Sequence, residues 1–410
     1  MDRRGFTLGA AGLVALSACG AAPRAPLPAA QASAFRTQPN AAYDAWVAAF
    51  RGRAASQGIG AATLDAAFRD AGFIPEVVER DRNQAEFNRS LEDYLALVAP
   101  EEKIAYGRGA VARRASTLTA IEARYGVPAR IIGAVWGVES YFGTRRGEIP
   151  VVSATSTLAF DGRRGRFFEA NLVEALRILQ RGDTTPSQLR GSWAGAMGHT
   201  QFIPTTYALH AVDFDGDGRR DVWSDDPGDA LASTANFLRE NGWRPGLPWG
   251  VEVRLPAGFD TRGTGRGNRR STATWRSLGV APARGGALPE LGDAALLTPS
   301  GASGPAFLVS RNFDTILRYN PSENYGLGVG ILSDRLAGGG PLVGDFGADA
   351  TGLRQEQRRA LQAGLNRAGF DAGTPDGVIG DRTREAIAAF QRARGLPVTG
   401  VPSLELLARF

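Results

Sequence analysis

Gly137-Val138-Glu139-Ser140-Tyr141-Phe142-Gly143 closes a short apolar helix, and its one acidic residue occupies a position that a core side chain would normally take. Pro128 is a favoured first helical residue. Ile131, Ile132, Val135 and Val138 follow it at helical spacing and mark one buried face. Glu139 lies on that face, four residues after Val135 and eight after Ile131. Burial opposes ionisation, and so does the negative end of a helix expected to stop at Gly143, so both raise its pKa. A carboxyl group kept protonated near neutral pH is a general acid. The competing reading is a Glu that snorkels, or that pairs with Arg145 or Arg146 beyond the helix.

The chain has 410 residues, enough for two or three domains, and 43% hydrophobic with 22% charged residues is ordinary globular composition. Its 47 basic and 42 acidic residues leave a net charge of +5, and Lys103 is the only lysine. Nearly all the positive charge is therefore guanidinium, which suits a polyanionic partner. No aromatic-and-basic recognition motif or zinc-finger spacing accompanies it, so nucleic acid is not the expected partner. His199 and His210 are the only histidines and Cys19 the only cysteine. That removes disulfides, zinc–cysteine sites, cysteine nucleophiles and most histidine-based triads, and leaves catalysis to carboxylates.

Residues 1–19 read as an export signal, with a twin-arginine pattern at Arg3-Arg4-Gly5-Phe6 and an apolar run from Leu8 to Ala18 too short to span a membrane as a mature helix. Leu16-Ser17-Ala18-Cys19 resembles a lipoprotein signal in which Cys19 becomes the lipidated first residue; the alternative is a conventional signal cut elsewhere. Residues 20–40, rich in Ala and Pro, read as a tether.

From Tyr43 to Leu179 the apolar spacing is helical, over Tyr43–Gln57, Thr63–Ala71, Pro100–Tyr125 and Phe167–Gln180. Arg163 and Arg164 sit in a polar, basic turn able to meet an acidic substrate, or simply to face water. In the stretch from Gly191 to Pro204, small residues let a ligand approach closely, while Ser192, Trp193 and Gln201 offer hydroxyl, ring and amide contacts suited to a sugar. Taken singly, these are also ordinary loop packing. Asp213, Asp215, Asp217 and Asp221 occupy positions 1, 3, 5 and 9 of an EF-hand-like loop, with Gly218 at 6 and the Arg219 carbonyl expected at 7. Ser224 stands at position 12, so the missing carboxylate falls to Asp225, Asp226 or Asp229, with Asp229 favoured. Three carboxylates this close repel one another without a cation, which favours calcium over a solvated Asp-Gly turn. Val251–Leu255 and Phe307–Ser310 read as strands. Tyr319, Asn320 and Tyr325, clustered ahead of an apolar helix at Leu327–Leu336, suit a saccharide cleft. A Gly-rich linker at 338–352 leads to a compact helical unit, 353–410, without a catalytic constellation.

Together these motifs, with Arg311-Asn312-Phe313 and in this order, resemble the membrane-bound lytic murein transglycosylase B family over about Tyr43 to Leu336. Asp376-Gly377-Val378-Ile379-Gly380 and Ala388-Ala389-Phe390-Gln391 resemble its small peptidoglycan-binding companion. The resemblance implies a mainly α (α+β) chain with a lysozyme-like catalytic domain at 41–337 carrying the calcium loop, and a three-helix peptidoglycan-binding domain at 353–410. It implies that Glu139 is the catalytic acid and then base, forming a 1,6-anhydro end on muramic acid. It places Arg163, Arg164, Ser192, Gln201, Tyr319, Asn320 and Tyr325 on the substrate. The expected setting is the bacterial periplasm, with a lipid anchor at Cys19 in a membrane, the outer one by expectation, and peptidoglycan strands as partner; cell-wall synthesis or division proteins stay open as further partners. Two positions depart from the family: His199 stands where a Gln is usual and Phe237 where a cleft Tyr is often found. A hydrolytic muramidase and a non-catalytic wall-binding scaffold are the alternative functions.

Overall fold

Apolar residues at helical spacing from residue 41 onward become helices, 17 of them among residues 35–82 and 89–410, which the computed structural model describes. The expected signal, Cys19 and most of the tether lie outside the described residues. The last part of that tether already belongs to the fold. The Gln38 N–H donates to the Phe73 carbonyl at 2.7 Å, and the Asn40 side chain caps the first helix, Ala41–Ser56, by accepting from the N–H groups of Ala42 and Tyr43.

The Glu139 helix runs Ala129–Ser140, with Ile131, Ile132, Ala134 and Val135 enclosed. It packs against Glu323–Leu336 and Glu101–Arg113, with Gly228–Glu240 and Ala115–Tyr125 completing its surround. An apolar helix that meets neighbours on every side is a core helix, so a polar group on it is conspicuous. The single helix expected over Pro100–Tyr125 is two, broken at Arg114. Val151–Asp161 is a buried helix hidden in the sequence by Ser153, Thr155, Ser156 and Thr157. The Thr155 and Ser156 hydroxyls donate back to the Val151 and Val152 carbonyls at 2.7 and 2.6 Å, which lets a polar, β-branched segment be buried as a helix.

The strands expected at Val251–Leu255 and Phe307–Ser310 form at Gly250–Arg254 and Ala306–Val309, paired antiparallel with Glu252 opposite Phe307. They sit inside a five-stranded antiparallel sheet ordered Arg269–Ser271, Asp293–Leu297, Ala306–Val309, Gly250–Arg254, Ala281–Pro282. Alternation along Asp293–Leu297 and Ala306–Val309 sends Ala295, Leu297, Phe307 and Val309 into the helical core and Leu296, Ala306 and Leu308 into a second core around Trp275.

Gln355–Arg367, Asp381–Ala393 and Leu404–Leu407 enclose a small core of Leu361, Leu365, Ile387 and Phe390. So small a core is marginal alone, and its junction with the body is correspondingly built. The Gly-rich linker stretch 338–352 is packed down: the N–H groups of Val343 and Gly344 donate to the Glu252 carboxylate, and Arg284 donates to the Pro341 carbonyl. Arg358, 3% exposed, reaches Glu92 at 2.6 Å and Asp93 at 3.2 Å on the helix Leu91–Val98, and Asp349 at 3.0 Å on its own side. Removing a buried cation from such a group leaves its carboxylates uncompensated. Arg358→Met is expected to lower stability by about 3 kcal/mol in urea unfolding and to open 338–352 to proteolysis; unchanged stability and cleavage would contradict a docked junction.

Candidate active site

The chain reverses sharply after Ser140, three residues before the expected stop, through Tyr141, Phe142 and Gly143 at φ of 51°, 56° and 84°. Left-handed backbone at two non-glycine residues is strained and persists only where the surroundings hold it. Here the Phe142 ring folds back against its own helix, onto Gly137, where an added Cβ would lie 2.6 Å from the ring, and onto Gly107, where it would lie 2.2 Å away. Ser140 accepts from the Gly143 N–H at 2.9 Å and donates to the His199 carbonyl at 2.5 Å. The last turn of the helix is thereby fixed in place, with Glu139 on it.

Glu139 is half-buried, and its Oε1 accepts a hydrogen bond of 2.6 Å from the Tyr325 hydroxyl. Burial raises its pKa to about 7, against the opposing influences of the Tyr325 hydrogen bond and the Lys103 charge. Neither Arg145 nor Arg146 pairs with it. The Arg145 guanidinium lies 4.8 Å over the Tyr141 ring, and Arg146 donates to the Trp223 and Ser224 carbonyls and to Asp225. A carboxyl that is half protonated near pH 7 is set for proton donation followed by proton uptake.

Tyr325 stands in the first turn of Glu323–Leu336, a helix that begins four residues before its expected start. Burial first, and then the Glu139 charge, hold the Tyr325 and Tyr319 phenols protonated, so both remain donors. The Tyr319 ring stacks on that of Tyr325 at 6.3 Å, and its hydroxyl donates to the Thr200 carbonyl at 2.5 Å. Asn320 caps the turn by accepting from the Ser322 N–H. Gln201, at φ of 54°, spends its amide on the Arg146 and Gly198 carbonyls, and Ser192 accepts from the Ala196 N–H. The structure thus joins Tyr325 to Glu139 directly and Tyr319 to it through the Tyr325 ring, and gives Ser192, Gln201 and Asn320 hydrogen bonds to the backbone of the surrounding loops.

Arg163 and Arg164 are held elsewhere. Arg163 donates to the Asp81 side chain at 2.6 Å and to its backbone carbonyl at 2.7 Å, and Arg164 also binds the Asp81 carboxylate, which is buried. The expected open basic turn is therefore an anchored one, although the two side chains stay 48% and 40% exposed. His199, the first departure from the family, accepts from Trp136 at Nδ1 and approaches the Ser224 carbonyl to 2.7 Å through Nε2. Burial lowers its pKa to about 4, so it serves as a neutral bridge behind the helix end. Phe237, the second departure, packs edge-on behind Tyr319 at 5.0 Å.

Asp213, Asp215 and Asp217 bring carboxylate oxygens within 4.8 Å of one another. Asp213 accepts from the Gly216 and Gly218 N–H groups, and Asp217 from that of Arg219. Asp229 accepts from the Phe214 and Asp221 N–H groups, and Asp221 from those of Trp223 and Ser224. Asp229 therefore braces the loop from the helix Gly228–Glu240, while the first three carboxylates form the cluster suited to a hard divalent cation.

Sequence reading missed Lys103 at this site. Its contact is with the Tyr141 ring, 5.2 Å from Nζ, and no spacing between residues 103 and 141 announces it. The hydrogen bond from Tyr325 stabilises the ionised carboxyl, so Tyr325→Phe is expected to raise the pKa of Glu139 further. The alkaline limb of acid-dependent turnover should then move to higher pH, with kcat lower by roughly 10–100-fold, the worth of a hydrogen bond to a charged group. A pH–rate profile checks this, and a limb moving to lower pH would contradict it.

The transglycosylase SLT domain family matches residues 42–334, and a peptidoglycan binding domain family matches residues 354–410. The membrane-bound lytic murein transglycosylase B of Escherichia coli (strain K12) is 35% identical over 220 residues, 52% of this chain and 58% of that protein, so the chain spans little more than half the length of this relative. SltB3 from Pseudomonas aeruginosa, solved in complex with NAG-NAM-pentapeptide, is 47% identical with a TM-score of 0.73, covering 90% of this chain and 100% of that one; a second structure holds NAG-anhNAM-pentapeptide. Escherichia coli SLT35, solved in complex with calcium, is 28% identical with a TM-score of 0.61, covering 73% of this chain and 93% of that one. The first family match takes in the helical body, Glu139 and the sheet. The chain therefore belongs to the transglycosylase SLT domain family, homologous to the membrane-bound lytic murein transglycosylase B, and carries a peptidoglycan-binding domain at residues 354–410.

Proposed function

We propose that this chain is a lytic transglycosylase that breaks the β-1,4 bond between N-acetylmuramic acid and N-acetylglucosamine of peptidoglycan and leaves a 1,6-anhydro end. One observation carries the reading: Glu139, with its pKa at about 7, has a phenol as its hydrogen-bond partner and a lysine as its charged neighbour, with no second carboxylate among them. Ordinary glycosidases place a second carboxylate opposite the acid. With one, the same group must serve twice. Glu139 protonates the glycosidic oxygen as the bond to muramoyl C1 breaks. Its carboxylate then takes the proton of the C6 hydroxyl while that oxygen closes onto C1, which restores Glu139 and consumes no water. Tyr319, Ser192, Gln201 and Asn320 position the sugars, and Arg163 and Arg164 meet carboxylates of the peptide stems from their anchorage on Asp81. The SltB3 complexes with both an intact and an anhydro ligand support this assignment.

The Asp213, Asp215 and Asp217 cluster is read as a structural calcium site, with the Arg219 carbonyl, Asp221 and Asp229 completing or bracing it; the calcium complex of SLT35 supports this. Bound there, the ion supplies charge compensation and loop order and takes no part in the chemistry. Residues 353–410 hold the enzyme to the wall. The setting is the bacterial periplasm, with Cys19 lipidated in the outer membrane; no helix of the described residues is long and apolar enough to cross a membrane.

Glu139→Gln keeps the shape and the acceptor for Tyr325 but has no proton to give, so muropeptide release from sacculi is expected to fall by roughly 10²–10⁴-fold. Folding should be preserved and improved at pH 8. The sign follows from the raised pKa: folding disfavours the ionised carboxyl, so Glu139 contributes an unfavourable term that grows as pH rises from its ordinary 4.5 through about 7, and the amide removes it. Release near the parent rate would overturn the assignment. Products of the parent ending in reducing sugars would identify a muramidase, and the absence of products a scaffold.

Calcium bound only by the native protein is expected to raise the melting temperature steadily with its concentration. Equal melting in calcium and in chelator would refute the site.

A further inference from the structure

Lys103, the one lysine among 47 basic residues, lies in the first turn of Glu101–Arg113 and is 4% exposed. A buried ammonium normally has a carboxylate or carbonyl within reach, because taking an unpaired charge out of water is costly. Among the described residues Lys103 has neither a hydrogen bond nor an ion pair. Its contact is the face of Tyr141, two residues beyond Glu139, at 5.2 Å. Arg145 lies over the same ring at 4.8 Å, which sets a second cation against Lys103 in place of an anion. Burial and Arg145 both press on the ammonium to lose its proton and bring its pKa down to about 8, while the Glu139 charge opposes that loss. A permanent partner is missing, and the one acid that acts on it is an acid that changes charge during the reaction.

We propose that Lys103 is a positioning residue acting through Glu139: it is the cation that faces the carboxylate during the interval between proton donation and proton uptake. This rests on the reading of Glu139 as sole acid and base. In the resting state Glu139 is largely protonated below neutrality and Lys103 rests on the Tyr141 ring without an anionic partner. When Glu139 gives its proton to the glycosidic oxygen, the new carboxylate meets an ammonium already in place, so no side chain or water has to reorganise to compensate it. When the carboxylate takes the C6 hydroxyl proton the pair is neutral–cationic again. The proton balance is unchanged by Lys103, which stays an ammonium throughout. A second carboxylate in this position would oppose the donation step, which accords with a mechanism that uses a single one. The other titratable groups facing the pair are the phenols Tyr325 and Tyr319, which lean on Glu139 from Glu323–Leu336 and Arg311–Tyr319, and Arg145, with Glu102 and Tyr106 acting on the Tyr141 ring. The helices Ala115–Tyr125 and Gly228–Glu240, also packed on the Glu139 helix, put no charged group on the acid.

The test uses the full chain with Lys103→Met and Lys103→Arg. Carbon-13 labelling of the glutamate carboxyls, with the Glu139 resonance assigned by its loss in Glu139→Gln, reads the titration of Glu139 directly and without turnover. In Lys103→Met that titration is expected to move to higher pH by roughly one pH unit, as loss of a nearby opposite charge requires. On soluble glycan fragments the alkaline limb of kcat/KM should move with it, kcat should fall about tenfold, and KM should stay within about twofold. Lys103→Arg should recover most of both. Melting should be unchanged or higher in Lys103→Met, since an unpaired buried charge has been removed. An unmoved Glu139 titration overturns the proposal. So does a loss confined to KM, which would make Lys103 a substrate contact, or equal loss of melting temperature and rate in both variants, which would make it structural. A parent chain without turnover would sink the functional reading and leave the resonance titration to decide on Lys103.

Discussion

A carboxyl group on the core face of a helix ionises only against the cost of its burial, and that opposition at Glu139 governs the site around it. The surrounding groups each trim the cost without removing it. Tyr325 offers one hydrogen bond and Lys103 one charge, and the balance leaves the group near pH 7. Were the carboxyl fully solvated, it would be ionised and useless as an acid; were it isolated in the core, it would not release its proton. The helix end that carries it is set by packing: Phe142 fits only because Gly107 and Gly137 lack side chains, and Gly143 leaves room for His199, whose Nδ1 would lie 2.4 Å from an added Cβ.

The aspartate loop and the acid are connected through that same histidine. The loop ends at Trp223 and Ser224, whose N–H groups bind Asp221 and whose carbonyls receive Arg146, with His199 also at the Ser224 carbonyl. His199 in turn meets Trp136 through its ring and Ser140 through its carbonyl, one residue from Glu139. Order in the loop is thus order in the last turn of the Glu139 helix, so a cation held by the loop would act on that helix end through its framework. At the other end of the molecule, the junction around Arg358 gives the peptidoglycan-binding unit a defined position on the body. A cavity of about 700 Å³ between them is lined by Glu92, Arg335, Asp345, Arg354 and Asp376 among others, and Glu139 is not part of it.

Periodicity made the Glu139 helix and its buried face legible, because a three-to-four spacing of Ile and Val has few other meanings. Spacing also revealed the cluster of Asp213, Asp215 and Asp217, since a turn of alternating Asp and Gly brings those carboxylates together by local geometry alone. What escaped was long-range. Tyr325 is 186 residues from the carboxyl it bonds, and its place in a Tyr/Asn cluster points to a sugar contact instead. Arg163 and Arg164 were visible as a basic turn, but their buried partner Asp81 lies on a separate helix. The helix Val151–Asp161 was concealed by hydroxyl residues that satisfy themselves on their own backbone, and the short strands flanking the central pair gave too few residues for an alternation to register.

The central claim is that Glu139 alone serves as acid and base and that water does not enter the bond it breaks. Digestion of sacculi in oxygen-18 water, with mass spectrometry of the released muropeptides, measures this directly. The account predicts anhydro-muramoyl ends without the heavy isotope from the first products onward. Reducing ends carrying oxygen-18 at muramoyl C1 would contradict it.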